Sequence, residues 1–575
     1  MIGYILGTQP ATPLEFWVAV ESGQTLRLDD VVKVVAQRPD TAARVEFYGI
    51  VDRVQTQYEG AQFDSDTFLA QQGQLPINTS YTAHVRVTRI EPEEELLPPF
   101  PGTVVELALG QELKQALYFD SMDKPISAGL MTNGSPAAVN FSFINGEKGA
   151  HVNISGLSGV ATKTSYMLFL LHSIFNSTAL GTAKANTKAL IFNVKGEDLF
   201  FIDQLNKKAA DVAPIYEKIN LPAIPFQNVS FRATPKPGVP QIEVNLDQRS
   251  EGVTPYLWSI REVCRDRLFS FLFTGEDLER GNLPYLIANV EERLAQLATD
   301  NDARDKRLGE PLSGLEVEPY GEDHPKTSIE SFSDLIRFLE HQLITEEDQR
   351  WLSKNAPATA NALIRRLFGI RAEVEHLIRG DLAPDEIARF RLDPLSEPAQ
   401  VIVADIHRLG ERAQKFVVGT ILQRLFTQKE RQGREPIVMV TLDELNKYAP
   451  REGRSPIKSL LTDIAERGRS LGIILIGAQQ TASEVERRVV GQAAVRVVGR
   501  LDSAEATRPE YNFLTASAKE RVLFLKSGSL FIQQPEVPAP ILIRFPFPAY
   551  ATRKEEVQKT AADQARFQKT MKRLG

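Results

Sequence analysis

Cysteine is almost absent: the 575-residue chain has one, Cys264. No internal disulfide can form and a thiolate metal site is excluded, so a reducing, cytoplasmic compartment is the expected setting. No run of 18 or more apolar residues occurs, so no membrane-spanning helix is expected. The first twenty residues, MIGYILGTQPATPLEFWVAV, have neither a basic leader nor a long apolar core, which argues against a secretory signal. Positive charge is not in excess either. The 67 Lys and Arg against 74 Asp and Glu give a formal charge of -7. That excludes a globally basic nucleic-acid coat but not a local basic surface. The histidines (84, 151, 172, 324, 341, 376 and 407) lack ligand spacing, and no base-stacking aromatic pattern, internal repeat or low-complexity stretch is found. What is there is ordinary for a globular protein, with 42% hydrophobic residues and a length of several domains.

Residues 1–100 carry short apolar runs (Ile2–Leu6, Phe16–Val20, Val31–Val35, Val45–Val54, Tyr81–Ile90) separated by Gly, Pro, Asn and Asp. This pattern predicts a small β-barrel or sandwich. The acidic, proline-rich Glu91–Pro101 is expected to be a linker. From 101 to 250 the pattern turns to β-α-β: a strand at His151–Ile154, a helix at Thr164–Phe175, a strand at Ala189–Val194. Residues 251–395 show helical spacing throughout, for example at Val253–Phe273, Ser328–Leu343 and Ala358–Leu377, and are expected to be a helical insertion without strands. Strands and helices alternate again over 396–550, which predicts a parallel sheet with crossovers. Residues 551–575 are charged and helix-forming, and are expected to be a tail. The predicted fold class is thus α/β, with an N-terminal small barrel and a helical insertion.

Four segments carry chemistry. The first is Gly156-Leu-Ser158-Gly159-Val160-Ala161-Thr162-Lys163-Thr164-Ser165, after a strand and opening a helix. In that setting backbone N–H groups and a helix N-terminus face an anion, the lysine reaches the β and γ phosphates, and the next hydroxyl binds Mg²⁺. The usual P-loop spacing wants glycines where Leu157 and Thr162 stand, so a glycine turn capping an ordinary helix is the competing assignment. The second is Ile437–Leu442, an apolar run ending in Asp443 and Glu444. In a P-loop ATPase such a strand brings an aspartate to the metal and a glutamate to the attacking water; alone, a solvated turn explains it as well. The third is the strand Leu471–Gly477, followed by Gln479, either a γ-phosphate sensor or a loop amide. The fourth is Arg467 and Arg469 at a helix end, favoured there by the dipole or acting as an arginine finger on a neighbouring subunit. The first two motifs, in this order on strand ends of one α/β pattern, make an Mg-ATP hydrolase the expected activity.

With these residues the chain resembles the HerA family of hexameric ATPases, close to FtsK-like translocases. The barrel is similar to the family's HAS-barrel, 156–165 to a variant phosphate loop of some members, and Asn193–Asp198 to the segment after the first crossover. Val401–Ile406 is similar to a core strand, Leu442–Tyr448 to the Walker B region, Ala465–Ser470 to the Arg-Gly-Arg helix end, and Gly477–Gln479 to the sensor strand. The resemblance implies a RecA-like P-loop core using ATP and Mg²⁺. It implies a homo-hexamer threading double-stranded DNA, and a NurA-like nuclease partner in DNA end resection and recombinational repair. The alternative it implies is a ring that assembles or activates a nuclease or sirtuin-like effector in anti-phage defence. Its roles fall on Gly156, Ser158–Ser165 and Lys163 for nucleotide, Thr164 and Asp443 for metal, and Glu444, Lys163, Gln479, Arg467 and Arg469 for catalysis. The basic loop Lys447, Arg451, Arg454 and Lys458 would face DNA phosphates, or is a solvated basic loop.

Overall fold

The computed structural model describes residues 1–157, 163–279, 281–308, 312–320 and 328–558. Its strands, in chain order, are β1 Gly3–Ile5, β2 Glu15–Val20, β3 Val31–Gln37, β4 Arg44–Tyr58, β5 Thr79–Glu91, β6 Val104–Leu107, β7 Pro125–Met131, β8 Pro136–Asn140, β9 Val152–Ser155, β10 Lys188–Asn193, β11 Val229–Ala233 and β12 Val253–Pro255. Four short ones follow, β13 Trp258–Ser259, β14 Leu315–Glu316, β15 Ser328–Ile329 and β16 Ile378–Arg379, then β17 Val401–Asp405, β18 Val438–Leu442, β19 Ile473–Gln479, β20 Val495–Val498, β21 Ser529–Gln533 and β22 Ile541–Arg544. The chain divides into two compact units. One is Met1–Leu180 with Pro214–Pro222 and Ala494–Phe547; the other is Gly181–Ala213 with Ala223–Ala493 and Pro548 onward. Among the described residues no helix is long and apolar enough to cross a membrane.

In the first unit β1-β2-β5-β4-β3-β6 close into a barrel. Alternating side chains fill it: Phe16 and Val18 of β2, Val32 and Val34 of β3, Phe47 and Val51 of β4, Ala83 and Val85 of β5. The barrel closes on Val104–Leu107, which lies beyond the expected boundary at residue 100 and beyond the Glu91–Pro101 segment. Lys33 is buried in β3 and ion-paired to Glu46 and Glu112, each at 3.0 Å. Arg521 grips Asp29 with two hydrogen bonds of 2.8 and 2.6 Å, tying the barrel to the rest of its unit. There, six further strands run in the order β9-β20-β21-β22-β7-β8, with β9 and β20 parallel and the rest antiparallel.

The second unit holds β12-β11-β17-β10-β18-β19, all parallel. Every residue of β17, β18 and β19 is buried. Strands covered on both faces read as unbroken apolar runs, which is why they stand out in the sequence. The helix Pro456–Leu471 packs on β19, and the helix Glu411–Gln432 packs against that helix.

The block 251–395 is helical but not free of strands. In place of a helix over Val253–Phe273 there are β12, β13, a helix at Ile260–Arg265 and a 3₁₀ turn at Phe269–Leu272. Pro255 has no N–H to give a helix, and Ser259 starts one by accepting from the Glu262 N–H in a capping box. Ser331 does the same with Asp334, so Ser328–Ile329 pairs with β14 and the helix begins at Phe332. The helix Pro357–Val374 matches its expected span closely. The short helix at 260–265 is fastened to the long helix Leu283–Leu308 by Arg261, buried and bonded to Asp305 at 2.8 Å and Asp302 at 3.1 Å. At the C-terminal end, residues 551–558 are not a tail. Leu199 N–H donates to the Thr552 carbonyl at 2.9 Å, and Gln558 N–H to the Leu205 carbonyl at 2.8 Å. The rest of the expected tail, 559–575, lies outside the described residues.

Gly49, at a register shift between β4 and β5, is required by close approach: a Cβ there would lie 2.6 Å from the Arg86 carbonyl oxygen and 2.5 Å from a Val85 methyl. Gly49→Ala is expected to destabilise the first unit by about 1–3 kcal/mol, as overpacking does. Thermal unfolding checks it, and an unchanged melting temperature would count against the tight contact.

Candidate functional site

The residues named in the phosphate-binding segment divide. Ser158, Gly159, Val160, Ala161 and Thr162 lie outside the described residues. Before them, β9 is wholly buried and parallel to β20, and the Leu157 N–H donates to the Arg500 carbonyl at 2.8 Å. After them, the helix Lys163–Asn176 opens with Lys163 itself, 4% exposed. Thr164 and Ser165 are half-buried in its first turn. A first-turn position is where a helix leaves N–H groups unsatisfied and its dipole is positive. The body of this helix is buried nearly all round. Tyr166 meets Phe545 edge-on at 5.3 Å, His172 meets Tyr216 at 5.8 Å, and the Ser173 hydroxyl donates to the Ser127 carbonyl at 2.9 Å.

The second unit gathers four polar side chains at the carboxyl ends of its neighbouring parallel strands. Asn193 ends β10, Asp405 ends β17, Asp443 follows β18 and Gln479 ends β19; each is at most 1% exposed. The register puts three of them level: Asn193 pairs with Asp405, and Ile191, two residues before Asn193, pairs with Thr441, two before Asp443. Ligands of open α/β sheets bind outside such strand ends.

Asp443 accepts the Glu444 N–H at 2.9 Å through one oxygen and a Lys195 ammonium at 2.6 Å through the other. Glu444 sits in the left-handed region, φ 58° and ψ 44°, which side-chain-bearing residues seldom occupy and which concentrates at functional sites. Its carboxylate is ion-paired with Lys447 on the short helix Leu445–Tyr448. Tyr448 ends that helix. Burial pushes its hydroxyl well above the usual tyrosine range, and the carboxylates of Glu444 and Asp443 push it further. The hydroxyl has no hydrogen-bond partner among the described residues, so it remains a buried polar atom beside two acids.

Asp405 is the second charged centre. Burial raises its carboxyl, while hydrogen bonds from His407 and Asn193 oppose the rise. Asn193 donates to it at 2.8 Å, and the His407 Nδ1 lies 2.8 Å away. The Arg408 Nε lies 3.3 Å from the His407 Nε2, on the side of the ring away from Asp405. No group of three or more His, Cys, Asp or Glu able to hold a metal occurs among the described residues.

Of the arginines, Arg467 is exposed, bonded to Glu430 at 2.7 Å, with its guanidinium 5.2 Å from the Phe426 ring centre. Arg469 is exposed one helical step on, before the C-capping Gly472 at φ 68°. In the basic loop, Arg451 donates to the Ser483 carbonyl at 2.8 Å. Lys458 donates to the Arg451 and Gly453 carbonyls and pairs with Glu486 at 3.0 Å. Arg451 and Lys458 therefore hold the loop itself, Lys447 pairs with Glu444, and Arg454 is exposed. Lys163 and Thr164 belong to the first unit, and Asp443, Glu444, Gln479, Arg467, Arg469 and the basic loop to the second. Sequence reasoning gave no role to Lys195, Asp405 or His407. The one signal was the polar turn Asn193-Val-Lys195-Gly-Glu197 directly after an apolar strand.

No protein-family model matches the chain, and no curated protein sequence does. Among solved structures it is similar to VirB4 of Thermoanaerobacter pseudethanolicus, at 13% identity and a TM-score of 0.43 over 77% of this chain and 98% of that one. It is similar to the plasmid coupling protein TrwB in complex with ADP and Mg²⁺, at 10% identity and 0.44 over 76% and 93%. It is also similar to the genome-packaging NTPase B204 of Sulfolobus turreted icosahedral virus 2, at 16% identity and 0.20 over 26% and 68%. The function proposed below therefore rests on this chain's own residues.

Asn193 bonds two partners at once, Asp405 and the Gly196 carbonyl, both at 2.8 Å. Asn193→Ala is expected to cost about 1–3 kcal/mol, because it takes a donor from the buried Asp405 carboxylate. A lower urea midpoint with unchanged slope checks this.

Proposed function

We propose that the chain is an Mg-ATP-hydrolysing motor ATPase of the HerA–FtsK kind, working as a homo-hexamer on double-stranded DNA. The observation that carries it is the acid pair Asp443–Glu444 at the carboxyl end of a buried parallel strand, with a cation already seated on Asp443. A carboxylate 1% exposed that accepts an ammonium at 2.6 Å is suited to a divalent cation at the same oxygen. Mg²⁺ takes one or two carboxylates and completes its shell with phosphate oxygens and water, so a single aspartate and a hydroxyl fit it.

In this proposal Lys163 binds the β and γ phosphates, with Gly156 and the 158–162 segment supplying backbone N–H groups. Thr164 and Asp443 hold the metal. When bound, the metal neutralises charge that builds on the phosphate oxygens. Glu444 orients the attacking water and takes its proton. Gln479, buried at a strand end, donates toward the γ-phosphate, and Arg467 or Arg469 completes the site of a neighbouring subunit. A nuclease partner of the NurA kind, and a joint role in DNA end resection, follow from the sequence resemblance alone.

Glu444→Gln is expected to lower ATP turnover by about 10²–10⁴-fold, the range of a positioned base, with nucleotide binding kept. Near-normal turnover in the variant would sink the hydrolase assignment. For the motor, purified protein is expected to displace a triplex-forming strand from duplex DNA in an ATP-dependent manner. DNA contact is probed at Arg454, an exposed residue of the basic loop. DNA-stimulated ATPase is expected to fall in Arg454→Ala, and unaltered stimulation would remove this loop from the DNA path.

A further inference from the structure

Lys195 is a charged residue at the strand ends for which neither the motifs nor the proposed mechanism has a use. Its side chain is 44% exposed, yet its ammonium rests 2.6 Å from the Oδ2 of an almost fully buried aspartate. An aspartate in that position needs a counter-charge, because an unpaired buried carboxylate is expensive.

The backbone that presents Lys195 is held on both sides. Ahead of it, the Asn193 side chain donates to Asp405 and to the Gly196 carbonyl, and the Lys195 N–H lies 3.4 Å from the Asn193 Oδ1. Gly196, at φ 54°, makes the reversal. Behind it, the Glu197 carboxylate accepts the N–H groups of Asp247 at 2.5 Å and Gln248 at 2.6 Å, and Arg408 at 3.3 Å. The turn is fixed; the four-carbon stem of Lys195, half in solvent, is the part able to swing.

We propose that Lys195 is the resident counter-ion of the Asp443 carboxylate and competes with the divalent cation for Oδ2. The proposal rests on the nucleotide site proposed above, in which Asp443 faces the metal. An ammonium and a divalent cation cannot both sit on one oxygen: like charges at contact distance repel, and the protein surroundings weaken that repulsion less than water does. The divalent ion must therefore displace Lys195, which swings to solvent while its turn stays in place. Lys195 thereby lowers the apparent affinity for the metal.

The test uses the full-length protein and a fluorescent ADP analogue carrying a methylanthraniloyl group. Binding is followed as free Mg²⁺ is raised, and separately in EDTA. Lys195→Met is expected to shift the Mg²⁺ midpoint to lower concentration by about three- to ten-fold, the scale of one ion pair whose cation is half-exposed. Lys195→Arg, which keeps the charge, is expected to stay near the wild-type midpoint, and binding in EDTA is expected to be the same in all three proteins. A Lys195→Met midpoint that stays put or moves to higher Mg²⁺ overturns the proposal, as does a Lys195→Arg midpoint that follows Lys195→Met. Wild-type protein that fails to bind the analogue at any Mg²⁺ concentration instead removes the nucleotide site on which the proposal stands. Thermal unfolding of each variant separates these outcomes from loss of fold.

Discussion

A carboxylate can leave water only in the company of positive charge or donors, and the strand ends of the second unit are arranged around that constraint. Asp443 has Lys195 and its neighbour's N–H; Asp405 has Asn193 and His407; Glu197 has two backbone amides and Arg408. These three acids come from different segments, but their donors overlap. Asn193 serves Asp405 and shapes the turn that carries Lys195, while Arg408 serves Glu197 and orders His407. The charges at these strand ends are thus held in place by each other. That is what preorganised electrostatics requires: groups already oriented before any ligand arrives.

The parallel sheet makes this arrangement possible. Six parallel strands send their carboxyl ends the same way, so residues distant in sequence reach the same level. Lys195 and Asp443 are 248 positions apart, and Asn193 and Asp405 are 212 apart. Most of the intervening chain is the helical block, which has its own buried ion network around Arg261.

The strands were legible because burial on both faces makes them almost wholly apolar up to their ends: Val401–Asp405, Val438–Leu442 and Ile473–Gln479 each lie within a residue or two of the expected spans. The helix at 163–176 was legible for the same reason. The acid pair was legible because two charges directly after a mostly apolar run mark a strand end. Two things were hidden. The 253–273 region carries helical spacing, but a proline and a capping serine cut it, and Trp258–Ser259 pairs with Ile378–Arg379, 120 positions on, which no local pattern announces. Lys195 was hidden because a lysine in a Gly-containing turn looks solvated; only the register of β10 against β18 brings it to Asp443.

Glu444 has a further consequence for how this protein can change over time. Its left-handed backbone suits glycine or asparagine better than an acid. Selection for sturdiness alone would drift this position toward those residues; under the proposed function, selection for turnover would hold the glutamate. A lineage released from the need to hydrolyse nucleotide should lose this acid early, and a glycine or asparagine here would be a readable record of that release.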